Sequence, residues 1–186
     1  MLPLSAIFIT LALPMVRVIY ERGAFDNQAS QLVTSVLIVY GVGMFVYLGR
    51  DVLVRVFYAL GDGDTPFRIS VFNIGLNALL DFILINRYGA PGLVLATVGV
   101  NLVSMVALLV LLARKINGLP WLDWARPLVM LILSSSLSGI AAWGSRLGLE
   151  TLIGTEGFFT NLIVLCVAGA ISLSVFAGAA LLLDIP

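Results

Sequence analysis

The chain has 186 residues, of which 61% are hydrophobic and 11% charged, whereas soluble domains run near roughly 45–50% apolar and about 25% charged. A water-soluble fold of this length has no place to hide that much apolar surface, but a bilayer does, because lipid is itself apolar. Ten basic and ten acidic residues give zero net charge, with no histidine and one cysteine. Zero net charge without a basic stripe argues against nucleic acid as a partner, and histidine catalysis, histidine metal sites and an internal disulfide are excluded.

Six stretches meet the requirement of about 20 apolar residues for a ~30 Å hydrocarbon core. The first runs from Leu2 to Tyr20 and is interrupted by Pro14, which a membrane helix tolerates when a neighbour satisfies the freed carbonyl. No basic region precedes Met1, so a cleavable leader is not expected. The chain begins inside an apolar segment, as the later part of a longer protein would. The second span covers Gln31 to Gly49 and is expected to continue as a helix past Arg50, Asp51 and Arg55 to Leu60. The third spans Pro66 to Ile85, the fourth Pro91 to Ala113, the fifth Pro127 to Trp143 and the sixth Phe158 to Leu183. The fold class is therefore all-α, a polytopic membrane bundle of six transmembrane helices.

The connections carry turn chemistry. Residues 21–27 are polar with a glycine, and Gly61-Asp62-Gly63-Asp64-Thr65-Pro66 predicts Thr65 as an N-cap with Pro66 as the first helical residue. Trp121 and Trp124 suit a membrane interface. Basic residues are Arg50, Arg55, Arg68, Arg114, Lys115 and Arg126 on one side, against Arg17, Arg22, Arg87 and Arg146 on the other. That excess makes the first side cytoplasmic.

Three polar groups stand out. Asn73, Asn77 and Asp81 recur every four residues on one face of the third span, with Ser70 extending the stripe. Thr97, Asn101 and Ser104 do the same on the fourth. An ionised Asp inside a membrane helix is costly, about 2.5–3.5 kcal/mol on insertion scales. Such a face must meet protein, water or an ion. Two readings stand: asparagines joining helices with Asp81 near the interface, or hard oxygen ligands for a cation such as Na⁺. Arg50, Asp51 and Arg55 read either as a solvated helix end, with Asp51 and Arg55 paired at i,i+4, or as a charged cavity wall facing an anionic head group. Asp62 and Asp64 fit turn formation better than metal binding. Cys166, and the small residues Ala170, Ser174 and Gly178, read as helix-packing positions, as do Ser134, Ser135, Ser136, Ser138 and Gly139. No nucleophile–base pair is present, which disfavours an enzyme.

One block is more specific. It runs from Tyr20-Glu21-Arg22-Gly23-Ala24-Phe25-Asp26 through Phe57-Tyr58-Ala59-Leu60-Gly61-Asp62 and Asp64-Thr65-Pro66-Phe67-Arg68-Ile69-Ser70. It continues through Asn77-Ala78-Leu79-Leu80-Asp81 to Gly92-Leu93-Val94-Leu95-Ala96-Thr97. In order and spacing it closely resembles the MurJ (MviN) family of lipid II flippases, within the multidrug/oligosaccharidyl-lipid/polysaccharide exporter superfamily. The strong resemblance covers Tyr20 to Leu119, and the last two spans match in layout.

The resemblance implies the C-terminal part of a flippase of about fourteen helices, with an N-terminal lobe missing here. Residues 1–118 would be part of the C-terminal lobe, and 119–186 two final helices forming a lipid-tail groove. It implies alternating-access transport of the undecaprenyl-linked peptidoglycan precursor among membrane lipids, with no cofactor other than Na⁺ as coupling ion. Its sodium ligands would be Asn77, Asp81, the Leu93 carbonyl and Thr97, incomplete in this chain. Asn73, Asn101, Arg50 and Arg55 would line the substrate path. The family's cavity arginines and a further sodium carboxylate lie in helices this chain does not contain. The competing expectations are an exporter of lipid-linked polysaccharide, or of cations and drugs, from the same superfamily, and a non-transporting membrane subunit.

Overall fold

The computed structural model describes residues 1–21, 25–119, 121–155 and 157–183, apart from the side chains of residues 121 and 122. The loop positions Arg22, Gly23 and Ala24 and the interfacial role expected of Trp121 lie outside the described residues. Seven helices follow in order among those described: α1 (Leu2–Thr10), α2 (Ala12–Tyr20), α3 (Asn27–Ala59), α4 (Asp64–Tyr88), α5 (Ala90–Lys115), α6 (Trp121–Ile153) and α7 (Phe158–Leu182). Helices α3 to α7 are each long and apolar enough to cross a membrane, and the number of spans is six where α1 and α2, bent by 70° at their break, are counted together as one. The chain is an all-α, multi-pass membrane protein.

Contacts group the chain into two units. One comprises residues 1–42 and 121–186, the other residues 43–120. Helix α3 gives its first part to one unit and its second part to the other. At 33 residues it is about 50 Å long, well beyond a ~30 Å core.

In the first unit, α1 packs on α6, α2 on α7, and α6 on α7. Leu11, Ala142 and Ala168 form its core. The break in the first span falls at Leu11 and not at Pro14. Proline has no N–H to give the carbonyl four residues back, which here is Thr10. Arg146 of α6 donates to that carbonyl through Nη1 at 3.1 Å. The same guanidinium pairs through Nε with Glu150 at 2.7 Å. The expected neighbour of the freed carbonyl is thus a charged side chain more than 130 residues away. A second arginine acts similarly: Arg17 of α2 donates to the Thr155 carbonyl at 2.8 Å and pairs with Glu21 at 3.3 Å.

Helix ends differ from the hydropathy reading where charge interrupts an apolar run without ending the helix. α6 starts before Pro127 and continues ten residues past Trp143, carrying Arg146 and Glu150. On α7 the buried stripe is Asn161, Val164, Ala168 and Ser172. The small residues Ala170 and Ser174 face outward, as does Cys166. On α6, Ser134, Ser135 and Ser138 are buried while Ser136 is exposed. Ser138 joins the Ser172 hydroxyl at 2.7 Å across the helix pair.

The second unit is built from the latter part of α3 with α4 and α5. Gly43 lies against Val98 and Gly49 against Met105, so α3 and α5 run parallel. Leu53, Phe57, Leu108, Leu112 and Leu119 form the core. α4 and α5 form a hairpin closed by Gly89 alone, whose φ of 62° favours glycine. Gly92 is buried where α5 meets the α4 backbone, and a methyl there would run into the Leu84 carbonyl. This close approach brings the start of α5 against the end of α4.

Candidate functional site

The second unit holds a cavity of about 490 Å³ along α4, lined by Arg50 from α3, by Ser70, Asn73, Asn77 and Asp81 from α4, and by Thr97 and Asn101 from α5. The four-residue repeat of α4 puts its polar groups on one face, and the antiparallel α5 sets its own polar face opposite. Apolar groups complete the wall through Ile74, Ala78 and Val100. Between Arg68 and Asn86 the rest of α4 is apolar and largely exposed, with Phe72 and Phe82 among its largest exposed side chains.

The polar atoms are of two kinds. Some are tied within the helices: Asn101 Nδ2 donates to the Thr97 carbonyl at 2.7 Å, and Thr97 Oγ1 to the Leu93 carbonyl at 3.0 Å. Others are not. Among the described residues Asn73 Oδ1 and Asp81 Oδ1 are shut off from solvent and accept no hydrogen bond. A buried acceptor without a partner costs roughly 1–3 kcal/mol, so these two oxygens fit a ligand that brings positive charge or a donor. The set is made of carboxylate, amide and hydroxyl oxygen, which suits a hard cation and not a soft one. The residues therefore fit the Na⁺ that the family resemblance implies.

The structure brings together Asn77, Asp81 and Thr97, with Asn73 and Asn101 beside them. Leu93 is exposed and does not line the cavity, and its carbonyl reaches the group only as the acceptor of Thr97 Oγ1. Among the described residues no cluster of three or more acidic or cysteine side chains is present.

The two arginines of the charged group on α3 are separated in role. Arg55 is 80% exposed and pairs with Asp51 at 3.4 Å. Arg50 is partly buried and enters the cavity, where Nε donates to Ser104 Oγ at 3.2 Å and Nη2 to Ser70 Oγ at 3.3 Å. Ser104 is fully buried. Both serines stood on the polar stripes of their helices, but their common partner lies 54 residues from one and 20 from the other. Sequence spacing carried no signal for that link.

The turn before α4 is capped differently from the expected Thr65 N-cap. Asp62 is the capping group, accepting from Thr65 N at 3.0 Å and from Thr65 Oγ1 at 2.9 Å. Lys115 at the end of α5 reaches the same carboxylate at 2.5 Å. The hydrogen bond from Lys115, and then those from Thr65, hold the Asp62 carboxyl down from 3.8 to about 2. The turn motif is structural, in keeping with the reading of Asp62 as a turn residue.

Comparison with known proteins agrees with this architecture. Residues 1–180 match the family described as "Lipid II flippase MurJ". A "Probable lipid II flippase MurJ" of Synechocystis sp. is 46% identical over 186 residues, all of this chain and 35% of the relative. One from Rhizobium tropici is 31% identical over 176 residues, 90% of this chain and 33% of the relative. A solved structure, "Lipid II flippase MurJ, inward closed conformation", superposes with a TM-score of 0.69 at 23% identity, covering 96% of this chain and 36% of the other, and so shares the fold. The chain spans about a third of the length of the curated relatives it matches.

Proposed function

The chain belongs to the lipid II flippase MurJ family, and from that premise we propose that it supplies the C-terminal third of a transporter, not an enzyme. That transporter moves the undecaprenyl-linked peptidoglycan precursor across the bacterial cytoplasmic membrane by alternating access. In this assignment residues 1–118 contribute to the C-terminal lobe and 119–186 to a groove for the lipid tail. The parts of such a transporter that this chain does not span, its N-terminal lobe in this reading, would supply the rest of the cavity wall.

The observation that carries the reading is the polar cavity of the second unit, set in helices that are otherwise apolar. Asn77, Asp81 and Thr97 would hold Na⁺ there, with Asn73 Oδ1 as a further uncommitted acceptor. The ion, when bound, supplies the positive charge that the Asp81 carboxylate lacks. Without it, the chain's own residues keep Asp81 inside the membrane helices at a cost. Asn101 and Thr97 stay fixed by their bonds to the α5 backbone, so the site needs little reordering. Arg50 presents guanidinium N–H groups to the same cavity, and Arg55 lies on the exposed side of α3.

The test uses the intact protein that carries this chain. Its gene should sustain growth of a bacterium depleted of its own lipid II flippase, and Asp81→Ala should bind ²²Na⁺ far more weakly than wild type. Equal ²²Na⁺ binding by the two proteins would remove the ion site. Failure to sustain growth, with stable membrane insertion, would remove the flippase assignment.

A further inference from the structure

Among the described residues the cavity of the second unit contains one cationic and one anionic side chain, Arg50 and Asp81, and they do not touch. Arg50 is fixed at the Ser70 level of α4 by its bonds to Ser70 and Ser104. Asp81 lies three turns further along the same helix, about 16 Å away at 1.5 Å per residue. Two of the five guanidinium N–H groups are spent on neutral hydroxyls and none on a carboxylate. Helices α3, α4 and α5 each contribute to this grip.

We propose that Arg50 is a built-in counter-charge that sets cation affinity at Asp81 and links it to anion binding at the other end of the cavity. With its remaining N–H groups unoccupied, the guanidinium opposes any second positive charge in the cavity. A phosphate-type anion on those N–H groups cancels that opposition, and the cation at Asp81 then binds more tightly. By reciprocity the cation tightens the anion to the same degree. At this separation and an effective dielectric near 20, the coupling amounts to about fivefold in affinity. The inference rests on the cation reading of Asp81 above. It adds that the two ends of the cavity act as one electrostatic unit, with Arg50 as a positioning charge and not a ligand of the cation.

The experiment measures ²²Na⁺ affinity of the intact protein in nanodiscs of phosphatidylcholine, with and without inorganic pyrophosphate, and in nanodiscs containing phosphatidylglycerol without pyrophosphate. In wild type, pyrophosphate, which carries more than one negative charge, should tighten Na⁺ by at least about fivefold if a free anion reaches Arg50. Phosphatidylglycerol alone should do so if a lipid head group reaches it. Arg50→Gln should bind Na⁺ about fivefold more tightly than wild type in phosphatidylcholine and respond to neither anion. Arg50→Lys, which keeps the charge, should retain the wild-type Na⁺ affinity, an outcome a merely structural role for the arginine does not produce. Unchanged Na⁺ affinity in Arg50→Gln, with no response of wild type to either anion, overturns the coupling while leaving the Asp81 site intact. If Asp81→Asn binds Na⁺ as wild type does, the cation reading itself fails and the coupling falls with it.

Discussion

Each unit of the chain places an arginine among apolar helices, and the two arginines meet different surroundings. Arg146 in the first unit meets a counter-charge: its Nε pairs with Glu150 and its Nη1 takes the carbonyl that Pro14 leaves unbonded. Both side chains are about one-fifth exposed. Among the described residues Arg50 in the second unit donates only to neutral hydroxyls, and Asp81 in the same cavity has an oxygen with no partner. A charge inside a membrane protein that finds its counter-charge within the fold supports the fold. A charge that does not find one is held ready for something that arrives from outside.

This contrast can be broken by mutation. The largest expected effect is in the first unit. Arg146→Met leaves Glu150 and the Thr10 carbonyl without partners, and should lower thermal stability in detergent by about 3 kcal/mol. Adding Glu150→Gln should recover part of that loss, because no orphaned charge remains. Full stability of Arg146→Met would mean that the pair does not support the fold.

In the second unit, Gly92→Ala pushes the start of α5 off the Leu84 carbonyl, with an expected cost of about 2 kcal/mol. It should also weaken ²²Na⁺ binding, since Thr97 moves with α5. Loss of stability without loss of binding would separate the hairpin from the site. Asp81→Asn should behave in the opposite sense to Arg146→Met. In sodium-free buffer it should match or exceed wild-type stability by about 1 kcal/mol, because a half-buried carboxyl group whose Oδ1 has no partner is replaced. Wild type alone should then gain stability on adding sodium, by about 2.7 kcal/mol at a hundred times its dissociation constant. A Tm of Asp81→Asn far below wild type would show that Asp81 is structural after all.

Smaller effects test paired groups. Ser138→Ala removes a buried bond between α6 and α7 and should cost about 0.6 kcal/mol, typical of interhelical bonds in membranes. Asp62 gives an acid-range check. Its folded value, about 2, lies below its ordinary 3.8. Its stabilising contribution is therefore complete above pH 4 and is lost as pH falls through about 2. Lys115→Met removes the main cause of that shift, so the variant should lose less stability between pH 4 and 2 in an acid titration of Tm. Coincident curves for the two proteins would contradict the Lys115 assignment.

Much of this molecule was legible in its residues. The apolar runs located the five long helices α3 to α7, the four-residue repeats placed Asn73, Asn77 and Asp81 on one face, and the block from Tyr20 to Thr97 pointed to the family that the comparisons then showed. Helix ends were less legible. Arg146 and Glu150 lower the hydropathy of α6, yet as an i,i+4 pair they continue the helix. On α7 small residues recur at two phases, and only packing against α6 selects Ala168 and Ser172 over Ala170 and Ser174.

Sequence by itself determined the membrane setting, the helical class and the polar faces of α4 and α5. These depend on properties local to a helix: apolar length against bilayer thickness, and the 3.6-residue turn that aligns every fourth side chain. Only the tertiary structure decided which partner each polar group meets. Arg146 found Thr10, Arg50 found Ser70 and Ser104, and Asp81 found no partner among the described residues. Those outcomes depend on how separate helices pack, because a hydrogen bond acts over about 3 Å in space whatever the distance along the chain.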